Sequence, residues 1–208
     1  MPSNRSPELE LRDVADPLVL RAMRRVPRAE FVPEPYQRQA YGDYPLPIGH
    51  GQTISQPYIV GLMTQLLELR GTERVLEIGT GSAYQAAVLA EIAAEVYSVE
   101  VIPELASSAL ERLAHLGYEN VHVRSGDGGE GWPEHAPYDA IIVTAATPAI
   151  PPALLDQLKD GAFLVAPIGR AGCVQVLQRL RKRGSILESE EICTVTFVPL
   201  VRGRSSRG

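Results

Sequence analysis

Two acidic residues and one glycine loop have the types and spacing to do chemistry. Gly79-Thr80-Gly81-Ser82 comes directly after the apolar run 74–78, and Glu77 sits near the end of that run. Glu100 closes the next strand-like run, 95–99, about 20 residues beyond the loop. A glycine turn between a strand and a helix lets the backbone approach a ligand closely, and an acid at that spacing can accept hydrogen bonds from both hydroxyls of a ribose. The same glycines would also serve a purely geometric turn.

The residues after the second glycine narrow the choice of ligand. A dinucleotide fingerprint needs a third glycine three residues after Gly81, where this chain has Tyr84. Glu77 beside the loop disfavours a pyrophosphate and suits a cationic amino group. A ligand with adenine, ribose, a sulfonium and an α-ammonium meets these conditions, so the expected cofactor is S-adenosylmethionine.

Periodicity predicts the elements that must position these residues. Asp16-Pro17 opens a helix with Leu18, Ala22, Met23 and Val26 on one face, and Pro27 stops it. The stretch 28–56 is rich in proline, tyrosine and glycine and has no period, as expected of a lid over a site. A helix over 57–69, closed by Gly71, leads into the strand 74–78. Helix 83–94, strand 95–100, helix 103–116, strand 120–125, strand 138–144, a short helix to Leu158 and strand 162–167 continue the alternation. In this register Ser82 caps the third helix and Ala83 is its first residue, at ordinary negative φ. The pattern predicts an α/β fold with a doubly wound, mostly parallel sheet. The runs 173–181 and 186–201, separated by Lys182-Arg183-Gly184-Ser185, end it in an antiparallel hairpin.

At 208 residues, 45% hydrophobic and net charge −5, the chain reads as a single domain 1–208, with helix and lid over 13–56, a core over 57–201 and a frayed tail over 202–208. Residues up to about 12 read as loosely ordered. The acidic balance argues against nonspecific nucleic-acid binding. No apolar run suits a secretory signal or a membrane span, so a cytoplasmic protein is expected. A monomer is also expected. Cys173 and Cys193 lie in apolar runs and read as small buried hydrophobes. No metal site is expected, because neither the cysteines nor His50, His115, His122 and His135 have ligand spacing.

The chain resembles the protein-L-isoaspartate O-methyltransferases, a branch of the S-adenosylmethionine-dependent methyltransferases. The likeness runs from Val26-Pro27-Arg28 and Phe31-Val32-Pro33 to Phe197-Val198-Pro199-Leu200-Val201. Its most specific parts are Thr53-Ile54-Ser55-Gln56-Pro57, the run 75–82, Gly126-Asp127-Gly128 and the run 139–146. The resemblance implies that Gly79, Thr80, Gly81 and Ser82 hold the methionine part of the cofactor, and Glu77, beside the loop, is expected to take its amino group. It implies that Glu100 holds the ribose, that Asp127 and Gly128 face the adenine, and that the segment ending at Val201 closes over it.

By the same resemblance Ser55 is the catalytic-site residue, with Thr53 and Gln56 beside it at the acceptor. Ser55, two residues before a helix-opening proline, equally suits a helix cap. The implied reaction methylates the free α-carboxylate of isoaspartyl residues in damaged proteins and peptides. An ionised carboxylate needs no general base, and the ester then closes to a succinimide that returns some normal aspartate. A methyltransferase with another carboxylate or small-molecule acceptor, and a non-catalytic S-adenosylmethionine-binding module, fit the same motifs. The chain departs from the family at Ala83, where a third loop glycine is common, and at Gly129, where a bulky residue is common.

Overall fold

The computed structural model describes residues 13–170 and 172–203. The expectations for residues up to 12 and for 204–208 lie outside the described residues. Helix α1 (Pro17–Arg25) starts as its sequence demands: Asp16 accepts from the Leu18 N–H at 2.8 Å, and Pro17 takes the first turn. Its buried face is Val19, Ala22 and Met23, with Leu18 only half-buried. The stretch 28–56 is more regular than its composition suggests. It holds two 3-10 turns, Arg28–Phe31 and Glu34–Gln39, and an antiparallel pair, β1 (Leu46–Gly49) and β2 (Gln52–Ile54). His50, at φ 52, sits exposed in the turn of that pair.

Helix α2 (Pro57–Gln65) is shorter than predicted. It closes at Leu66, well before Gly71, and Glu68 takes the left-handed conformation (φ 54). The alternating units are β3 (Arg74–Ile78), α3 (Tyr84–Ala90), β4 (Glu95–Glu100), α4 (Pro103–His115), β5 (Val121–Ser125), β6 (Tyr138–Val143), α5 (Pro152–Gln157) and β7 (Leu158–Ile168). The chain ends in β8 (Gln175–Arg183) and β9 (Ile186–Val195), joined at Gly184-Ser185. The sheet order is β5-β4-β3-β6-β7-β8-β9. The first five strands in that order are parallel, and β8 and β9 are antiparallel to their neighbours. This confirms the doubly wound sheet with an antiparallel end.

Strand order reverses between β3 and β6, and this is where the carboxyl ends of parallel strands open a crevice. Side chains alternate across the sheet. Val75, Val96, Ala140 and Ile142 pack under α1 to α4, and Leu76, Ile78, Val99, Ile141 and Val143 pack on the opposite face with Leu154 of α5. The alternation places Glu77 on the same side as Val75.

Neither cysteine is the buried hydrophobe expected: Cys173 is exposed and Cys193 half-buried. Cys173 falls in the loop before β8, because pairing begins only at Gln175. β9, at the sheet edge, exposes Glu188, Ser189, Glu190 and Glu191. Ile192 is bulged out of the ladder, since Leu177 faces Cys193 and Gln178 faces Glu191. Among the described residues no helix is long and apolar enough to cross a membrane.

Candidate active site

β3 ends at Ile78, and the chain turns through 79–83 before α3. Neighbours distant in sequence hold this turn. The Gly79 N–H donates to the Val99 carbonyl (2.9 Å), while Thr144, just past β6, donates from its N–H to Ile78 (2.9 Å) and from Oγ1 to the Gly79 carbonyl (2.6 Å). Gly79 has φ +97, and a Cβ there would lie 2.5 Å from Thr144 Oγ1, so the loop needs glycine. The Gly81 N–H donates to Glu100 Oε2 (2.8 Å), and Arg112 Nη1 donates to the Ser82 carbonyl (3.1 Å).

The same restraints overturn the expectation for Ala83. Its N–H closes on the Thr80 carbonyl (2.8 Å), and its backbone is left-handed, φ 70 and ψ 9. The helix starts one residue later, at Tyr84, whose N–H donates to Ser82 Oγ at 3.3 Å. A side chain in this conformation is strained. Ala83→Gly is therefore expected to stabilise the fold by about 0.5–1 kcal/mol, or a rise in Tm of about 2–4 °C per kcal/mol for a chain of this size. Thermal unfolding checks it. A fall in Tm would mean that the fully buried methyl contributes more than its strain costs.

Glu100 ends β4 and is 5% exposed. Its second oxygen accepts from the Ile102 N–H (3.0 Å), so both oxygens are oriented by backbone donors, and each retains one acceptor position. Glu77 does not stand on the cleft wall as the sequence suggested. It is fully buried beneath the loop, where Ser98 Oγ donates to its Oε2 and Thr80 Oγ1 lies 2.6 Å from that same Ser98 hydroxyl. Burial pushes its carboxyl up to about 8, against the Ser98 hydrogen bond and with help from the charge of Glu100. It is therefore largely protonated at pH 7, not the anion the sequence implied. Among the described residues its Oε1 has no partner.

The cleft over the loop is lined by Gly79 to Ser82, Glu100, Gly128, Thr53, Ser55 and the segment 198–201, including Val201. Gly128 is on the wall, but the Asp127 side chain is not. One Asp127 oxygen accepts from the Gly129 N–H (2.8 Å), capping a short turn, and the other lies 3.6 Å from Arg202 Nε. Arg202, expected to fray, is thus docked.

A second cleft opens beside the first between Pro45, Ile59, Thr194 and Phe197. Thr53, Ser55, Thr144 and Val198 line both. Ser55 is not the helix cap: the cap position is Gln56, whose own side chain does not cap α2. Gln56 lines only the second cleft, and its Nε2 donates to Asp43 Oδ2 at 2.7 Å. Asp43 Oδ1 also accepts from the Tyr58 N–H (3.1 Å), so a carboxylate of the chain itself already sits at the start of α2.

Sequence reasoning gave no role to Thr144, Ser98, Asp43 or Arg202. Only Thr144 carried a signal, as the polar end of a buried strand.

The residues present fit an adenosyl ligand. Among the described lining residues none is Arg, Lys or His, so a phosphate would meet no counter-charge, whereas Glu100 offers acceptors to hydroxyls and Ile78, Val99, Ile102 and Leu200 offer apolar surface.

Comparison with known proteins agrees with this geometry. Residues 8–205 match the family model described as protein-L-isoaspartate(D-aspartate) O-methyltransferase. The chain is 57% identical over 197 residues to protein-L-isoaspartate O-methyltransferase 2 of Pelobacter propionicus, covering 94% of this chain and 88% of that protein. It is 50% identical to the protein-L-isoaspartate O-methyltransferase of Myxococcus xanthus, covering 98% of each. A solved protein-L-isoaspartate O-methyltransferase superposes with a TM-score of 0.82 at 31% identity, over 89% of this chain and 61% of that one. With the glycine loop, Glu100 and the paired clefts in place, the chain belongs to the protein-L-isoaspartate O-methyltransferase family.

Proposed function

We propose that this protein transfers a methyl group from S-adenosylmethionine to the free α-carboxylate of L-isoaspartyl residues in damaged proteins and peptides, the first step of their repair. The observation that carries the reading is the shared wall, where Thr53, Ser55 and Thr144 line both the cleft over the glycine loop and its neighbour. S-adenosylmethionine supplies an electrophilic methyl on a sulfonium. Glu100 would hold the ribose through its free acceptor positions, and the loop 79–82, drawn in by Glu100 and Thr144, would hold the methionine part. Gly128 and Leu200 flank the adenine.

Ser55 and Thr53, on the wall common to both clefts, would hold the acceptor carboxylate beside the cofactor, and Val198 to Val201 would keep water out. No base is required of the chain, because the acceptor is ionised at neutral pH. Rate then comes from alignment and desolvation.

Labelled methyl transfer to an isoaspartyl peptide, its aspartyl twin and no peptide tests the assignment. Transfer to the isoaspartyl peptide alone is expected. Equal transfer to the twin would overturn the repair assignment and leave a methyltransferase with another acceptor. Ser55→Ala is expected to lower turnover about 10-fold or more, the cost of one hydrogen bond to a charged group, with Tm and S-adenosylhomocysteine affinity nearly unchanged. A matching fall in Tm would return Ser55 to a structural role.

A further inference from the structure

One wall of the cofactor cleft is a strap from the C-terminal end of the chain. Its first part is stitched to the loop after β6: the Ala146 N–H donates to the Val198 carbonyl and the Leu200 N–H to the Ala146 carbonyl, each at 2.8 Å. Past Leu200, the structure gives no backbone hydrogen bond to the strap among the described residues. There the side chain of Arg202 reaches the turn after β5 on the other side of the cleft. Its Nε lies 3.6 Å from Asp127 Oδ2, and its guanidinium lies over Gly129. A carbon built at the Cβ position of Gly129 would fall 1.4 Å from Arg202 Nη1 and 2.3 Å from Cζ. The absent side chain at 129 is therefore the seat of Arg202. The strap also closes directly on this turn, with a Cβ on Gly128 placed 3.7 Å from Leu200 Cδ1 and one on Gly203 placed 3.1 Å from Asp127 Cβ.

We propose that Arg202, seated over Gly129 and paired with Asp127, is the latch that holds the C-terminal strap across the cofactor cleft and slows release of the adenosyl ligand. The inference rests on reading that cleft as the adenosyl site. It makes Arg202 a positioning residue, acting through the strap. The Arg202 side chain is 58% exposed, so the pair works in water, and its effect is modest and screened by salt.

The test measures S-adenosylhomocysteine dissociation by stopped flow at low and high salt, for the parent chain, Arg202→Ala, Gly129→Ala and the double variant. Arg202→Ala is expected to speed release about two- to fivefold at low salt, the range an exposed ion pair carries, and to remove most of the salt dependence. Gly129→Ala should do the same with the arginine present, because the methyl displaces the guanidinium. The double variant should release no faster than either single one.

Hydrogen exchange without ligand adds a reading independent of turnover: the Leu200 amide should exchange faster in both single variants. Parental release rates and parental salt dependence in Arg202→Ala would overturn the latch, as would additive effects in the double variant. A parent chain that binds no S-adenosylhomocysteine would instead overturn the cofactor reading, and the latch with it.

Discussion

Glu100→Ala should weaken S-adenosylhomocysteine binding about a hundredfold or more. Hydrogen bonds to a charged group contribute about 1.5–3 kcal/mol each, and every 1.4 kcal/mol or so is tenfold in affinity, so losing two ribose contacts accounts for that range. The same carboxylate accepts from Gly81 at 2.8 Å and from Ile102 at 3.0 Å. Its removal therefore also frees the loop that the ligand must find already formed. Glu100→Gln separates the two contributions: it keeps one acceptor oxygen but sets an amide donor against a backbone N–H, and should fall between parent and alanine. Calorimetric titration at pH 7 checks both variants. An alanine variant with parental affinity would place the ribose elsewhere.

Without ligand, the stability of the parent relative to Glu77→Gln should fall as pH rises from about 5 to about 8. The ordinary glutamate value is 4.5, and in the folded protein the carboxyl is held at about 8 by burial. Below 4.5 both folded and unfolded chains keep the proton, and the group costs nothing. Between the two values the unfolded chain releases its proton and the folded chain does not, so each pH unit costs up to about 1.4 kcal/mol. Above 8 both are ionised and the cost is constant, a few kcal/mol in all. Urea unfolding at pH 5, 6.5 and 8 should show a flatter profile for Glu77→Gln, with the variant the more stable of the two at pH 8. A difference that does not change with pH would mean that Glu77 titrates as an ordinary carboxylate.

The parallel core was legible because its central strands β3, β4 and β6 are short, mostly buried runs, and because an acid some 20 residues past a glycine loop has few other uses. The failures have a common cause in contacts that are remote along the chain. Ala83 is forced left-handed by a turn that Glu100, Arg112 and Thr144 hold, and none of them is visible in the window around residue 83. Strands β1 and β2, of four and three residues, are too short to display a period of two, and Pro47 within the first argued against a strand. Val174 and Cys173 look like the start of a strand, yet pairing begins at Gln175. At the site, spacing singled out Glu100 and the family resemblance singled out Ser55, and both line the cleft. The protonation of Glu77 was hidden, since it depends on how completely α3 and its neighbours cover that carboxyl.

The outermost strand, β9, bears on how copies of this protein meet one another. A sheet edge is a row of unsatisfied backbone groups that invites a second chain to add on, with strands about 4.8 Å apart. Here any arriving copy of the same edge would bring Glu188, Glu190 and Glu191 against their own counterparts, and the bulge at Ile192 would break the run of matching donors and acceptors. Like charges at that spacing repel, and the interrupted ladder removes part of the gain. An acidic, broken edge therefore disfavours edge-to-edge addition of a second copy of this chain.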